Sequence, residues 1–493
     1  MLLSMGVSLY TSRIVLSTLG VEDYGIYGVV GGVVMMFSFI NSSMSGATSR
    51  FLTFALGKGD MDNLKKTFSS SLTIHILIAL VILILAETVG LWFLENKLVI
   101  PEYRMSAARW VYQFSVLSSV IAITQVPYNA SIISHERMNI YAYVEILNVA
   151  LRLGIVYLLV IGNFDKLILY AAMVLCVSIF IAMIYRFYCL KNFEECKYKY
   201  EWDKKNIYPM LSFSGWDLYG NMSVVARIQG VNILLNLFFG PVLNAANSVA
   251  MQVQGAVGSF ATNILTAVQP QIVKNYAAQN YQYMMKLILN TAKYVYLLLL
   301  ILALPLILEM EFVLNIWLKN APSYAVSLCR CTLIFIFFST QSSILAKAIH
   351  ATGNIKRPSL INGTLYLLVL PVSYFAFRWG GIPEFPYICN ILFVFIGMMS
   401  NAYTLKLYVS HFSIKDFVFK VLSVCFFISL LSVLASLCVK QSMPECFLRF
   451  VLVVLASTTS IVFLSYFIAL DKETKYIIKQ KISILLNQRK WKS

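Results

Sequence analysis

Eight charged side chains stand where charge is expensive. Arg13, Arg152, Arg227, Arg330 and Lys347, with Glu87, Glu145 and Asp217, all lie inside long apolar runs. A charge at the centre of a bilayer costs roughly 2.5–3.5 kcal/mol on insertion scales, so such residues belong beside a polar cavity rather than lipid. Arginine carries the chemistry here, because its planar fork binds phosphate bidentately. A cavity lined by Arg13, Arg152, Arg227 and Arg330 would favour an anionic substrate. Arg152 and Arg227 are the deepest by residue count. Arg13 precedes Gly20 by seven residues, which at 1.5 Å per residue sets it about 10 Å below the outer surface. Arg50 closes the second apolar run. Arg330 and Lys347 lie nearer the ends of theirs, where snorkelling is the competing reading.

The acids allow two readings each. Glu145 and Arg152 share a helix face but are too far apart for a direct intrahelical bridge, so Glu145 is an ion-pair or coupling candidate. Asp217, in Ser214-Gly215-Trp216-Asp217, is placed to meet a helix dipole or to couple an ion. Asn244, Asn247, Gln252, Gln254, Asn263 and Gln269 fall in one run with Gly255 and Gly258, a pattern of interhelical hydrogen bonding around a wet interior. Catalytic and metal motifs are missing. No G-x-x-x-x-G-K-[ST] occurs, the four His are far apart, and nine scattered Cys form no metal or disulfide framework. No cofactor and no catalytic residue is expected. The external connections are too short for a catalytic domain, which argues against an enzyme.

The elements that must hold these residues are membrane helices. Of 493 residues 59% are hydrophobic and 12% charged, far from the balance of a soluble domain. The same figures exclude a disordered chain, a disulfide-stapled secreted domain and a nucleic-acid binder. Fourteen runs are long enough to span: 1–19, 26–49, 67–94, 108–133, 141–162, 167–185, 210–238, 242–268, 290–312, 325–349, 359–377, 386–405, 421–439 and 446–469. Of the Lys and Arg residues, 26 fall in connections after even-numbered spans and in the tail, against 8 after odd-numbered ones. The positive-inside rule then sets both termini in the cytoplasm of a multi-pass inner-membrane protein. The tail 471–493 alternates lysines with Ile477, Ile478, Ile482, Leu485 and Leu486, which suits either an amphipathic helix on the inner leaflet or a frayed basic tail.

Sliding the chain by 220 residues brings Gly20 onto Gly240, Val33 onto Val253, Ala47 onto Ala267 and Lys66 onto Lys286. An even number of spans separates the copies, so the repeats run parallel, a pattern that places a transport site between halves. The expected organisation is an all-α polytopic protein with two pseudo-symmetric six-helix lobes and two further helices. These are an N-lobe over 1–190, a linker over 191–209, a C-lobe over 210–410, spans 13 and 14 over 411–470, and the tail.

Several segments then resemble a known family. They are Ser8-Leu9-Tyr10-Thr11-Ser12-Arg13-Ile14-Val15-Leu16, Leu19-Gly20-Val21-Glu22-Asp23-Tyr24-Gly25-Ile26-Tyr27, and Val30-Gly31-Gly32-Val33. Arg50-Phe51, Gln269-Pro270-Gln271-Ile272-Val273-Lys274, Tyr276-Ala277-Ala278, Ala351-Thr352-Gly353-Asn354 and Lys356-Arg357 extend the pattern. They resemble the Wzx-type O-antigen and capsule flippases of the MOP superfamily, relatives of the MurJ and MATE transporters. The resemblance implies a cavity that opens alternately to each side of the membrane, and an undecaprenyl-pyrophosphate-linked oligosaccharide as cargo. It also assigns Arg13 and Arg50 to the cavity near the pyrophosphate. The implied partners are membrane lipids and the polymerase and glycosyltransferases of the same pathway. A MATE-type drug or cation antiporter is the alternative, with a membrane glycan polymerase or ligase behind it.

Overall fold

A backbone in hydrocarbon must satisfy its own N–H and C=O groups, which a run of apolar residues does by coiling into a helix. The computed structural model describes residues 38–96, 100–159, 165–200, 203–318 and 322–470, with 14, 15, 18–20, 23, 26, 27, 30, 475 and 480. These residues form an all-α polytopic membrane protein. Its helices are α1 (Ser38–Lys58), α2 (Met61–Asn96), α3 (Met105–Ser134), α4 (Met138–Leu158), α5 (Lys166–Asn192), α6 (Lys204–Phe239) and α7 (Pro241–Ala277). They continue as α8 (Tyr281–Leu308), the short α9 (Met310–Leu318), α10 (Ala325–Thr352), α11 (Lys356–Arg378), α12 (Phe385–Tyr408), α13 (Ile414–Gln441) and α14 (Phe447–Ala469). Among the described residues ten helices are long and apolar enough to cross a membrane. The helices follow the expected spans from the second to the fourteenth; the first, 1–19, lies almost wholly outside the described residues, as does the tail.

Two boundaries differ from the expectation. The stretch 191–209 reads as a linker, yet α5 runs on to Asn192 and α6 already begins at Lys204. Charged residues end a membrane span but not a helix, and Lys and Arg are good helix formers. What is left between them holds one 3₁₀ turn, Glu194–Cys196.

The 220-residue repeat reappears in backbone geometry. Gly20 and Gly240 adopt φ of +82° and +81°, the left-handed turn that glycine enters without a Cβ clash. Gly59 and Gln279, again 220 apart, are left-handed at +71° and +59°. Each is followed by an N-cap: Asp60 accepts from the Asn63 N–H and Asn280 from the Tyr283 N–H, satisfying an orphan donor of α2 and of α8. Side-chain identity has drifted between the copies while the turn chemistry has stayed.

The chain divides into two compact units. The first comprises 1–222, 273–279 and 353–356, the second 223–272, 280–352 and 357–493. In the first, α3 packs on α5 through Ala107, Ala108, Val111, Tyr112 and Val116 against Leu167 and Ala171. Tyr112 donates to the Ala86 carbonyl at 2.7 Å, inside a π turn over Ala86–Gly90. Gly90 is obligatory there, since a Cβ would overlap the Tyr112 hydroxyl.

Ion pairs within the first unit sort the connections into two sets. Arg104, between α2 and α3, grips Asp23 with Nε at 2.8 Å and Nη2 at 2.5 Å, and meets Asp165, the N-cap of α5, at 2.6 Å. These three connections follow spans 1, 3 and 5. A second set ties connections after even-numbered spans: Lys65 to Glu194 at 3.1 Å, His135 to Glu195 at 2.6 Å and Lys274 to Glu136. Such pairing is the alternation that a chain threading back and forth requires. In the second unit, α10 packs on α12 and α8, and α8 holds α13 and α14.

Candidate functional site

An enclosed polar arrangement lies wholly in the second unit, around Arg227. Helix α6 carries Arg227 in its latter half, where it is 9% exposed. Its guanidinium carbon stands 5.2 Å from the ring centre of Phe335 on α10 and 5.1 Å from that of Tyr366 on α11. Close approach of the helices is built into the sequence. A Cβ on Gly230 would lie 2.5 Å from the Leu370 side chain, and one on Gly258 2.9 Å from Ile336. Glycine at both positions lets α11 and α10 close over the arginine.

Polar side chains of α7, α10 and α12 line the same small pocket, among them Asn247, Gln254, Thr332, Tyr387 and Asn390. Part of the set is internally satisfied. Tyr387 donates its hydroxyl to Asn247 Oδ1 at 2.5 Å, and Asn247 and Asn244 donate to Asn232 Oδ1 at 3.2 and 2.9 Å. Thr332 donates to the Cys329 carbonyl at 2.9 Å. Three buried groups are left over: Arg227 Nε, Asn390 Oδ1 and, beside the pocket, Asn244 Oδ1 have no hydrogen-bond partner among the described residues. Among the described residues no aspartate or glutamate lines the pocket. A buried charge without a counter-charge costs several kcal/mol. Two aromatic faces offset part of that, at about 2 kcal/mol each when desolvated.

The remaining expected residues are placed as follows. Arg13 lies outside the described residues. Arg50, in the first unit, is 6% exposed. Its guanidinium carbon lies 4.5 and 4.7 Å from the Phe51 and Phe54 ring centres. It also packs so tightly on Gly353 that a Cβ there would come 2.7 Å from Nη2. Phe54 in turn meets Tyr276, and Gly57 sits against Lys274 and Ala277. The segments around Arg50, Lys274 and Gly353, scattered in sequence, are thus one packing cluster.

Arg152 is exposed and its Nε donates to Asn148 one turn earlier, at 3.2 Å. Glu145 is exposed. Asp217 lies more than three turns into α6, so it does not cap that helix; it accepts from Asn221 at 3.1 Å. Arg330 donates Nε to the Ile307 carbonyl at 3.0 Å, at the C-terminal end of α8. Orphan carbonyls at that end draw cations, and Lys440 caps Leu308 likewise. His75, buried in α2, binds the Ser71 carbonyl at 2.8 Å through Nδ1. Among the described residues no three His, Cys, Asp or Glu side chains gather to hold a metal.

Tyr366, Tyr387, Asn390 and Phe335 are absent from the expected set. The aromatics look like ordinary filler within apolar runs. Asn390 alone carries a signal, as an amide within the apolar run 386–405.

The family of polysaccharide biosynthesis proteins matches residues 1–276. A curated relative, the uncharacterized membrane protein EpsK of Bacillus subtilis (strain 168), is 23% identical over 158 residues. The match spans 32% of this chain and only 31% of that relative's length. Solved structures share the fold at low identity. A MATE transporter crystallised with MaD3S superposes with a TM-score of 0.71 at 14% identity, covering 83% of this chain and 94% of that one. A multidrug resistance MATE transporter of the MOP superfamily, in an outward-facing conformation, gives 0.71 at 13% over 82% and 94%. A MOP superfamily transporter from Pyrococcus furiosus, described as having a binding pocket of reversed polarity, gives 0.69 at 13% over 83% and 93%. The family match covers more than half of the sequence, and the solved structures share its fold: the chain belongs to the polysaccharide biosynthesis protein family and has the fold of the MATE transporters.

Proposed function

We propose that the chain flips an undecaprenyl-pyrophosphate-linked oligosaccharide from the cytoplasmic to the periplasmic leaflet by alternating access. Both termini then lie in the cytoplasm, and the glycosyltransferases and polymerase of the same pathway work on either side. The observation that carries this reading is that the deep arginines have no acidic partners. Arg152 is held by an amide and Arg227 by aromatic rings, and neither has a carboxylate partner among the described residues. Uncompensated cations in a membrane interior favour a polyanionic cargo. A pyrophosphate and sugar hydroxyls lose their hydration in hydrocarbon, which bars unaided crossing; a polar, cationic passage supplies substitutes while the lipid tail stays in the bilayer. No bond is made or broken, so no catalytic group is required.

Arg152, with its exposed head, is the described span arginine suited to touch the headgroup. The experiment is leaflet-resolved measurement of lipid-linked glycan in cells carrying Arg152→Ala or Arg13→Ala at normal protein levels. Intermediates held on the cytoplasmic leaflet are the expected result. Normal surface glycan in both variants overturns the site, and an unpolymerised unit on the periplasmic leaflet favours a polymerase instead. The MATE-like fold supports a second reading, a drug or cation antiporter, which predicts cation efflux from vesicles without any glycan phenotype.

A further inference from the structure

We infer that the Arg227 pocket of the second unit is a binding site for one small monovalent anion of halide size. Four observations on the pocket itself carry the inference. Arg227 is a cation more than nine-tenths buried, with Nε unpaired. Among the described residues no carboxylate lines the pocket to neutralise it. Asn390 and Gln254 line the same space, and their amides make no hydrogen bond to any described residue, so N–H donors remain besides the guanidinium. Tyr387 is excluded as a donor because its hydroxyl proton is already committed to Asn247.

Size decides the class of ligand. The space open to the centre of a water-sized sphere is only about 20 Å³, close to the ~10–15 Å³ that one water needs. A sugar ring or a pyrophosphate does not fit; a chloride or bromide ion does. Water alone would satisfy the amides and leave the charge uncompensated in a low-dielectric interior, where charge is expensive. A halide satisfies both, with the Phe335 and Tyr366 rings walling the guanidinium from the side. The site is independent of the lipid-linked cargo, because it belongs to the second unit alone and is too small for a headgroup.

The test uses the full chain, purified in detergent in sodium gluconate, with sodium chloride or bromide titrated at constant ionic strength. A ligand that binds only the folded state raises the melting temperature in a saturable way. The expected result is a saturable rise of about 2 °C or more with either halide, lost in Arg227→Gln and weakened in Asn390→Leu. Inorganic phosphate and pyrophosphate should give no saturable rise. Three results overturn the inference: no halide dependence in the wild-type chain, an unchanged dependence in Arg227→Gln, or equal protection by pyrophosphate. If Arg227→Gln does not fold, the Asn390→Leu titration decides: a halide affinity equal to wild type removes the site. Bromide anomalous scattering from crystals gives the position directly, and a peak elsewhere with none beside Arg227 also refutes it.

Discussion

Arg449 is the sharpest place to perturb the second unit. Its Nη2 meets Glu309 Oε2 at 2.7 Å, with the side chains 11% and 1% exposed. Glu309 caps α8, whose last carbonyls already face Arg330 and Lys440, so α14 is stapled to the end of α8 by a buried charge pair. At an effective dielectric near 20 the attraction at this distance is about 6 kcal/mol before desolvation is subtracted. The two substitutions are not equivalent. Arg449→Met strands a carboxylate that has almost no exposure and one oxygen already unpaired, and removing one partner of such a pair costs roughly 3–5 kcal/mol. Glu309→Gln leaves a neutral amide beside a longer, better exposed side chain, for which about 1–3 kcal/mol is expected. The double variant Glu309→Met with Arg449→Met removes both charges and should return to within about 1 kcal/mol of wild type. Tryptophan-fluorescence melting in detergent reads the order, with Arg449→Met lower by roughly 6–20 °C at 2–4 °C per kcal/mol. A double variant as unstable as the sum of the singles, or Glu309→Gln worse than Arg449→Met, refutes the reasoning.

Three further outcomes follow from local geometry. Gln279 is exposed and left-handed where its repeat partner is Gly59, so Gln279→Gly should stabilise by about 1 kcal/mol and Gly59→Ala destabilise by a similar amount, read by the same melts. Gly57→Ala would set a Cβ 2.8 Å from the Lys274 backbone and 3.1 Å from the Ala277 side chain. It should cost about 1–3 kcal/mol, whereas Gly154→Ala, with open space around it, should not. Partial burial alone would raise the Asp165 carboxyl, but hydrogen bonds from Arg104 and from the Ile168 and Leu167 N–H groups outweigh it and hold the group below its ordinary 3.8. Its contribution is therefore complete above pH 3.8 and lost as pH falls through the lower folded value. Asp165→Asn should lower the melting temperature at pH 7 and flatten its fall below pH 4; an unchanged acid limb would contradict the assignment.

By itself the sequence determined the helical class, the helix positions from the second apolar run onward and the 220-residue repeat of turns. Those features are local or periodic: a bilayer forces each apolar run into a helix regardless of its neighbours, and a left-handed turn followed by an Asx cap is written in adjacent residues. It also singled out Arg227, Arg152 and the amides of α7, because polar groups in apolar runs are conspicuous. Only tertiary structure decided what each charge does. Arg330 reads as a cavity residue and turns to a helix end. Asp217 reads as either a dipole partner near a helix start or an ion-coupling acid, and it lies deep in α6, since charge ends a span without ending a helix. Arg50, Lys274 and Gly353 become one packing cluster although some 300 residues separate the first from the last. Tyr366, Tyr387 and Asn390 acquire meaning only when helices far apart in the chain close on Arg227. Which rings and amides surround a buried charge is set by helix packing, where Gly230 and Gly258 permit contact, and no spacing along the chain encodes that.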